Sequence, residues 1–237
     1  MAHRDAAALD DPVGESLRGH HRHLARRIGQ AAGYLPEVTT FSTVTAAGPA
    51  GWADLRRLLG RGELADLFSL PATPPPDWDP VFTLDGLQMI HPADSHDRHA
   101  DADPEIVELG ADDVPDMLRL VARTQPGPFW ARTRELGTYL GIRENGALVA
   151  TAGERLHPPG WTEISAVCTA PEARGRGHAA RLVRALVAHI TSRNERPFLH
   201  VAETNSGAIA LYERLGFVVR KQVTFRGFRT PDSDAGP

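Results

Sequence analysis

The chain of 237 residues carries 41% hydrophobic and 24% charged residues and a net charge of −4, an ordinary balance for a globular protein that buries its own core. Its 26 basic residues are spread along the sequence, so no basic stripe marks it for nucleic acid, and no apolar run approaches the ~20 residues of a membrane span. The single cysteine, Cys168, excludes an intramolecular disulfide; with no apolar core in Met1–Pro12 to act as a signal peptide, a soluble, cytoplasmic protein is expected.

In chain order, Ser16 to Ala32 is expected to be a helix with Leu17, Leu24 and Ile28 on one face. Val38 to Val44 is β-branched and strand-like, Trp52 to Leu59 reads as a short helix, and Glu63 to Leu70 fits either state. Pro71 to Pro76 is a stiff turn, and Val81 to Ile90 is expected to be a hairpin reversing at Asp85-Gly86, a favoured type I′ pair. No catalytic motif stands in residues 1–92, whose role stays open. Residues 93–104, rich in Asp and His, read as a polar linker.

Residues 105–237 are patterned more sharply. Glu105 to Leu109 is expected to be a strand and Asp112 to Arg123 a helix. Tyr139 to Arg143 and Ala147 to Leu156 are strands joined through Asn145-Gly146, a strong hairpin signal. Thr162 to Thr169 is a further strand. An amphipathic helix comes next over Gly177 to Thr191, with Ala179, Leu182, Val183, Leu186, Val187 and Ile190 on its apolar side. Pro197 to Ala202 (strand), Ser206 to Leu215 (helix) and Phe217 to Phe225 (strand) complete an order that implies an α/β fold with a mixed sheet.

The most informative stretch is Thr169 to Ala180, between a strand and a helix. Gly175 and Gly177 remove Cβ atoms where a ligand's phosphates must approach the backbone, and the helix after them begins with unpaired N–H groups and the positive end of its dipole. Arg174 and Arg176 add positive charge. A Gly-x-Gly pair alone is as often a simple chain turn. Gly175-x-Gly177-x-x-Ala180 also matches the dinucleotide fingerprint, with Glu203 ending the next strand. Against that reading, six residues separate the strand from the first glycine, and too little chain remains after Glu203 for a doubly wound sheet. The absence of Lys-Ser/Thr after the glycines excludes a Walker loop.

Two blocks carry a family likeness. Arg174-x-x-Gly177-x-Ala179 fits the pattern (Arg/Gln)-x-x-Gly-x-(Gly/Ala). Asn205 to Phe217 places Asn at the start of a late helix, Tyr212 inside it and Gly216-Phe217 at its end. On these residues the segment from about Glu105 to Phe228 resembles the GNAT superfamily of N-acetyltransferases. The resemblance implies a GNAT-like α/β domain whose central strands splay to admit acetyl-CoA as co-substrate, and direct attack of an amine on the thioester. It implies that the backbone of Arg174, Gly175, Arg176, Gly177, His178, Ala179 and Ala180 holds the pyrophosphate, with Asn205 among the cofactor-binding residues. The edge of Val167-Cys168-Thr169 would pair with the pantetheine arm, and an N–H near Val167 would steady the oxyanion.

By its place in that helix, Tyr212 is the candidate acid for the departing thiolate, although it shares its face with the apolar Ala208, Leu211 and Leu215. Glu163 is the candidate base for the incoming ammonium, placed by strand alternation on the face of Ser165 and Val167, with His200 and Glu203 as alternatives. Cys168 reads as a small buried hydrophobe. His20, His21 and His23, and separately His91, His96 and His99, show no firm ligand pattern, so no metal is expected. The acceptor is a small-molecule or peptide amine, with no nucleic acid or membrane partner. The alternative to an enzyme is an acyl-CoA-binding sensor.

Overall fold

A computed structural model describes residues 6–68, 70, 72–92 and 103–232. The chain divides into two compact units, one of residues 1–86, 157–159 and 222–237, the other of residues 87–156 and 160–221. The division falls inside two long strands, β5 (Asp79–Ile90) and β11 (Val218–Arg229). Residues 93–102 of the expected linker lie outside the described residues. Asp103 is anchored, with both carboxylate oxygens on Arg181 at 2.6 and 2.7 Å.

In the first unit, Asp11 caps α1 (Pro12–Arg18) by accepting from the Gly14 N–H at 2.9 Å, and Pro12 fits the first turn, where no N–H is needed. The helix expected over Ser16–Ala32 stops at Gly19. Beyond it the chain forms a meander of β1 (Ala25–Ile28), β2 (Ala31–Tyr34) and β3 (Ser42–Val44). The reversal is the two-residue turn Gly29-Gln30, with Gly29 at φ 51°, so turn chemistry overrides the apparent helical spacing. Helix α2 (Pro49–Leu59) lays Trp52, Leu55 and Leu58 on a small core with Ala31, Val44, Leu67 and Trp78. Strand β4 (Leu64–Leu67) pairs antiparallel with Arg226–Arg229. The hairpin expected at Asp85-Gly86 is absent: neither residue has positive φ, β5 runs straight through, and Thr224 of β11 bonds the Asp85 carboxylate at 3.1 Å.

In the second unit, β6 (Ile106–Glu108), β7 (Tyr139–Glu144), β8 (Ala147–Glu154) and β9 (Trp161–Thr169) are antiparallel neighbours. β10 (Arg196–Ala202) joins β9 in parallel. The β7–β8 hairpin turns at Asn145 and Gly146, with φ of 50° and 82°, as a type I′ turn requires. Helix α3 (Val114–Thr124) buries Met117, Leu120 and Val121. A parallel pair needs a crossover, and α4 (His178–Ser192) supplies it. Its Leu182, Val183, Leu186 and Ile190 are fully buried against the sheet, each stabilising by about 1.5–3 kcal/mol. Helix α5 (Ser206–Arg214) precedes β11. The architecture is a mixed sheet with helices, the class expected from the order of elements.

Candidate active site

The parallel pair does not stay paired. The β9–β10 register runs from Trp161↔Arg196 to Ile164↔Leu199 and ends there, although both strands continue. Just beyond, β9 carries a bulge: Thr151 and Gly153 of β8 stand opposite Cys168 and Ser165, so β9 holds one extra residue, and Ala166 adopts φ 52°. A non-glycine residue in the left-handed region is strained, and such strain collects at functional sites. The bulge also corrects the alternation argument, because Glu163 and Val167 lie on opposite sides of the inserted residue. Beyond Ile164 the ladder to β10 leaves Ser165 to Thr169 without strand pairing on that side, with Val167 and Thr169 half-buried and Cys168 buried.

The glycine turn follows β9 after one short turn of helix, Pro171–Ala173. Gly175 and Gly177 have φ of 78° and 80°, and a Cβ at either would meet nothing within 4 Å. Positive φ explains why both are glycine, and the open space leaves their backbone reachable by a ligand. Gly177 is the N-cap of α4, so the N–H groups of His178, Ala179 and Ala180 lie in the first turn, where a helix has no partners of its own to offer them. Glu144, at the end of β7, ties the turn down: it accepts from Arg176 at 2.7 Å and contacts His178 Nε2 at 3.0 Å, and Arg176 draws its carboxyl below the usual range. Arg174 bonds Thr169 O through Nε at 3.3 Å. Asn205 caps α5, its side-chain oxygen accepting from the Ala208 N–H at 3.2 Å. Conformation and access leave the turn's backbone N–H groups able to receive an anion.

Glu163 is in a different setting. It is fully buried, with Arg155 donating to both carboxylate oxygens at 2.8 and 2.6 Å and His200 Nδ1 at 2.6 Å. Burial alone would raise its carboxyl, but the Arg155 charge and bonds and His200 outweigh it and hold the group down at about 2. Burial lowers His200 in turn, so the imidazole is neutral. With Nδ1–H donating to Glu163, its Nε2 accepts from Gln88 Nε2 at 3.1 Å, and Gln88 Oε1 accepts from Arg220 at 2.8 Å. The alternative base Glu203 is exposed.

Tyr212 lies on α5, 8% exposed, its ring edge-on to Phe217 at 6.0 Å, and burial pushes its phenol up to about 12. Cys168 is buried and its thiol is pushed up by desolvation, which suits a packing residue. Of the tryptophans, Trp52 and Trp78 pack edge to face in the first unit, and Trp161 lies in the core of the second beneath Arg196.

The sequence offered no sign of the pocket beside the bulge. Pro126, Gly127, Pro128, Phe129, Thr133, Tyr139, Arg155, Ser165 and Ala166 line it. Phe129 and Tyr139 meet edge to face at 5.6 Å, and Gly153 is small because a Cβ there would stand 2.2 Å from the Tyr139 ring. These residues carry no motif. Only the Pro126-Gly127-Pro128 turn, an irregular segment where a strand approaches, hints at them.

The site is thus a mixed sheet whose central parallel strands part beside a glycine turn at a helix N-terminus, the layout of an α/β ligand-binding site. The comparisons agree. A family model described as FR47-like protein matches residues 139–226. A GNAT-family structure from Novosphingobium aromaticivorans DSM 12444, assigned as an acetyltransferase, is 39% identical. It covers 96% of this chain and 99% of its own, with a TM-score of 0.85. A GCN5-related N-acetyltransferase from Kribbella flavida, 17% identical, shares the fold over 96% of this chain and 98% of its own at a TM-score of 0.64. A tandem GNAT protein from the clavulanic acid biosynthesis pathway, 15% identical, does so over 87% and 79% at 0.56. No curated protein matches. The chain belongs to the GNAT family, with the acyl-transfer fold of that family's acetyltransferases. No helix among the described residues is long and apolar enough to cross a membrane.

Proposed function

We propose that the protein transfers an acetyl group from acetyl-CoA to a primary amine by direct attack. The observation that carries this reading is the parting of β9 from β10 beyond Ile164 and Leu199, next to the Gly175–Gly177 turn. The turn, from Arg174 to Ala180, would hold the pyrophosphate on backbone N–H groups. The unpaired edge of Val167, Cys168 and Thr169 would receive the amides of the pantetheine arm as an added strand, and Asn205 would close the same side from the head of α5.

In the reaction the amine nitrogen bonds to the acyl carbon, the carbon–sulfur bond breaks, and the departing thiolate takes a proton from Tyr212. Burial keeps the phenol protonated at neutral pH. Transfer from about 12 to a thiol near ~8.5 is uphill, by an amount that a held geometry can offset. Glu163 is assigned a positioning role. A carboxylate held at about 2 between Arg155 and His200 is a poor acceptor for an ammonium proton at ~10.4. Its ion pair fixes Arg155, which lines the pocket with Ser165 and Ala166, and the amine would enter there, its proton leaving to water.

Calorimetry with acetyl-CoA tests the reading, with NADH as control and an Arg174→Ala/Gly177→Ala double variant beside the wild type. Saturable acetyl-CoA binding, lost in the double variant and absent with NADH, together with coenzyme A release on addition of amines, is the expected result. Preference for the dinucleotide would overturn it.

A further inference from the structure

The fold completes a histidine cluster in the first unit that the sequence does not announce. His20 and His21 lie just after α1, and His157 reaches them from the loop between β8 and β9, taking the place that His23 holds by proximity in sequence. One imidazole nitrogen from each of the three lies within 4.8 Å of the others. His20 and His157 are stacked at 4.3 Å with 13° between their planes, and His21 stands edge-on to both, at 5.2 and 5.0 Å.

Two features fix this arrangement. Ser16, fully buried on α1, anchors both chain segments: its hydroxyl accepts from the His157 N–H at 2.8 Å, and its carbonyl accepts from the His21 N–H at 2.8 Å. His21 is oriented from behind, with Nδ1 2.8 Å from the buried Tyr34 hydroxyl. When Nδ1–H donates to Tyr34, Nε2 is left as the lone-pair nitrogen. Metal-binding histidines are commonly held in this way by an outer partner on the second ring nitrogen.

We propose that His20, His21 and His157 form a site for one divalent transition-metal ion of the zinc class. Three neutral imidazoles with no carboxylate or thiolate among them favour zinc, nickel, cobalt or copper over magnesium or calcium. Nitrogen–metal bonds of about 2.0–2.1 Å bring tetrahedral ligands closer together than the rings now stand. The exposed His20 is the ring able to swing in, and its side gives the ion a path from solvent. The fourth position is left to water. Such an ion staples the His157–Pro159 loop to the segment after α1.

The test is a titration of the full-length protein, after chelator treatment, with Co(II) and Zn(II). It tracks the visible Co(II) spectrum, Zn(II) affinity by competition with a chelating dye, and the thermal midpoint. One equivalent should bind with a tetrahedral or five-coordinate Co(II) spectrum, and Zn(II) should raise the midpoint. His20→Ala removes an exposed ring and leaves the fold intact; it should weaken Zn(II) by at least about tenfold and abolish the midpoint shift. His157→Gln should do the same, and a His96→Ala/His99→Ala variant should behave as wild type. Absence of stoichiometric binding, binding untouched by His20→Ala and His157→Gln, or binding lost in the His96/His99 variant alone would each overturn the proposal.

Discussion

The second unit contains the same three-residue arrangement twice, with opposite consequences. At the glycine turn, Glu144 holds Arg176 and His178; in the interior, Glu163 holds Arg155 and His200. Side-chain exposure is 33% for Glu144 and 0% for Glu163. Charge pairs near water are screened and contribute little, whereas a buried carboxylate deprived of its partner, or a buried cation deprived of its carboxylate, cannot turn to solvent. The surface cluster therefore shapes the glycine turn without holding the fold together, and the interior cluster joins the residue after β8 to β9 and β10.

The largest expected effect is on the interior side. Glu163→Gln leaves Arg155 buried without its counter-charge and should cost about 3–5 kcal/mol of stability, read from the denaturant midpoint. If the loss is small, Glu163 is not the keystone and its assignment as a positioning residue fails. Next is Tyr212→Phe, which should lower turnover on a competent amine by about 10²-fold or more while leaving acetyl-CoA affinity near wild type. A parallel fall in affinity would make Tyr212 a packing residue.

Acidification should dismantle the interior cluster in two stages. His200 is lowered by burial, so the contribution of its neutral form is present above the unfolded value near ~6.5 and is lost as pH falls below that. Glu163 is held at about 2, so its contribution is present above the unfolded carboxylate value near ~4.3 and is lost as pH falls toward 2. Stability of the wild type should thus decline first near pH ~6 and more steeply below about pH 4, and the second decline should be shallower in Glu163→Gln, where only the other lowered carboxylates such as Asp54, Asp103 and Asp113 remain to titrate. The smallest effect belongs to Glu144→Gln. It should leave the unfolding midpoint unchanged and weaken acetyl-CoA binding through a looser Arg176, and a stability loss comparable to that of Glu163→Gln would erase the contrast.

Much of the fold was legible from local chemistry. The apolar stripe of α4, the Asn145-Gly146 reversal and the two glycines before α4 are each set by a few neighbouring residues, and each stands where its pattern points. Local signals misled where distant chain intervened. Asp85-Gly86 carries a hairpin pair, yet β11 running alongside holds it straight, and the spacing of Leu17, Leu24 and Ile28 is cut by the turns at Gly19 and Gly29. At the site, the sequence marked Tyr212 and the turn, but could not reveal that Glu163 is sealed between Arg155 and His200. Such burial depends on strands far apart in the chain.

The sequence by itself determined the order of elements from Glu105 onward and the glycine turn before α4, because helix periodicity, turn dihedrals and a helix start are properties of adjacent residues. Only the tertiary structure decided where β9 and β10 part, which carboxylate is buried, and that His157 rather than His23 joins His20 and His21. Those outcomes arise from strand register and packing between distant segments, and no local pattern encodes the partner that a strand or loop will meet.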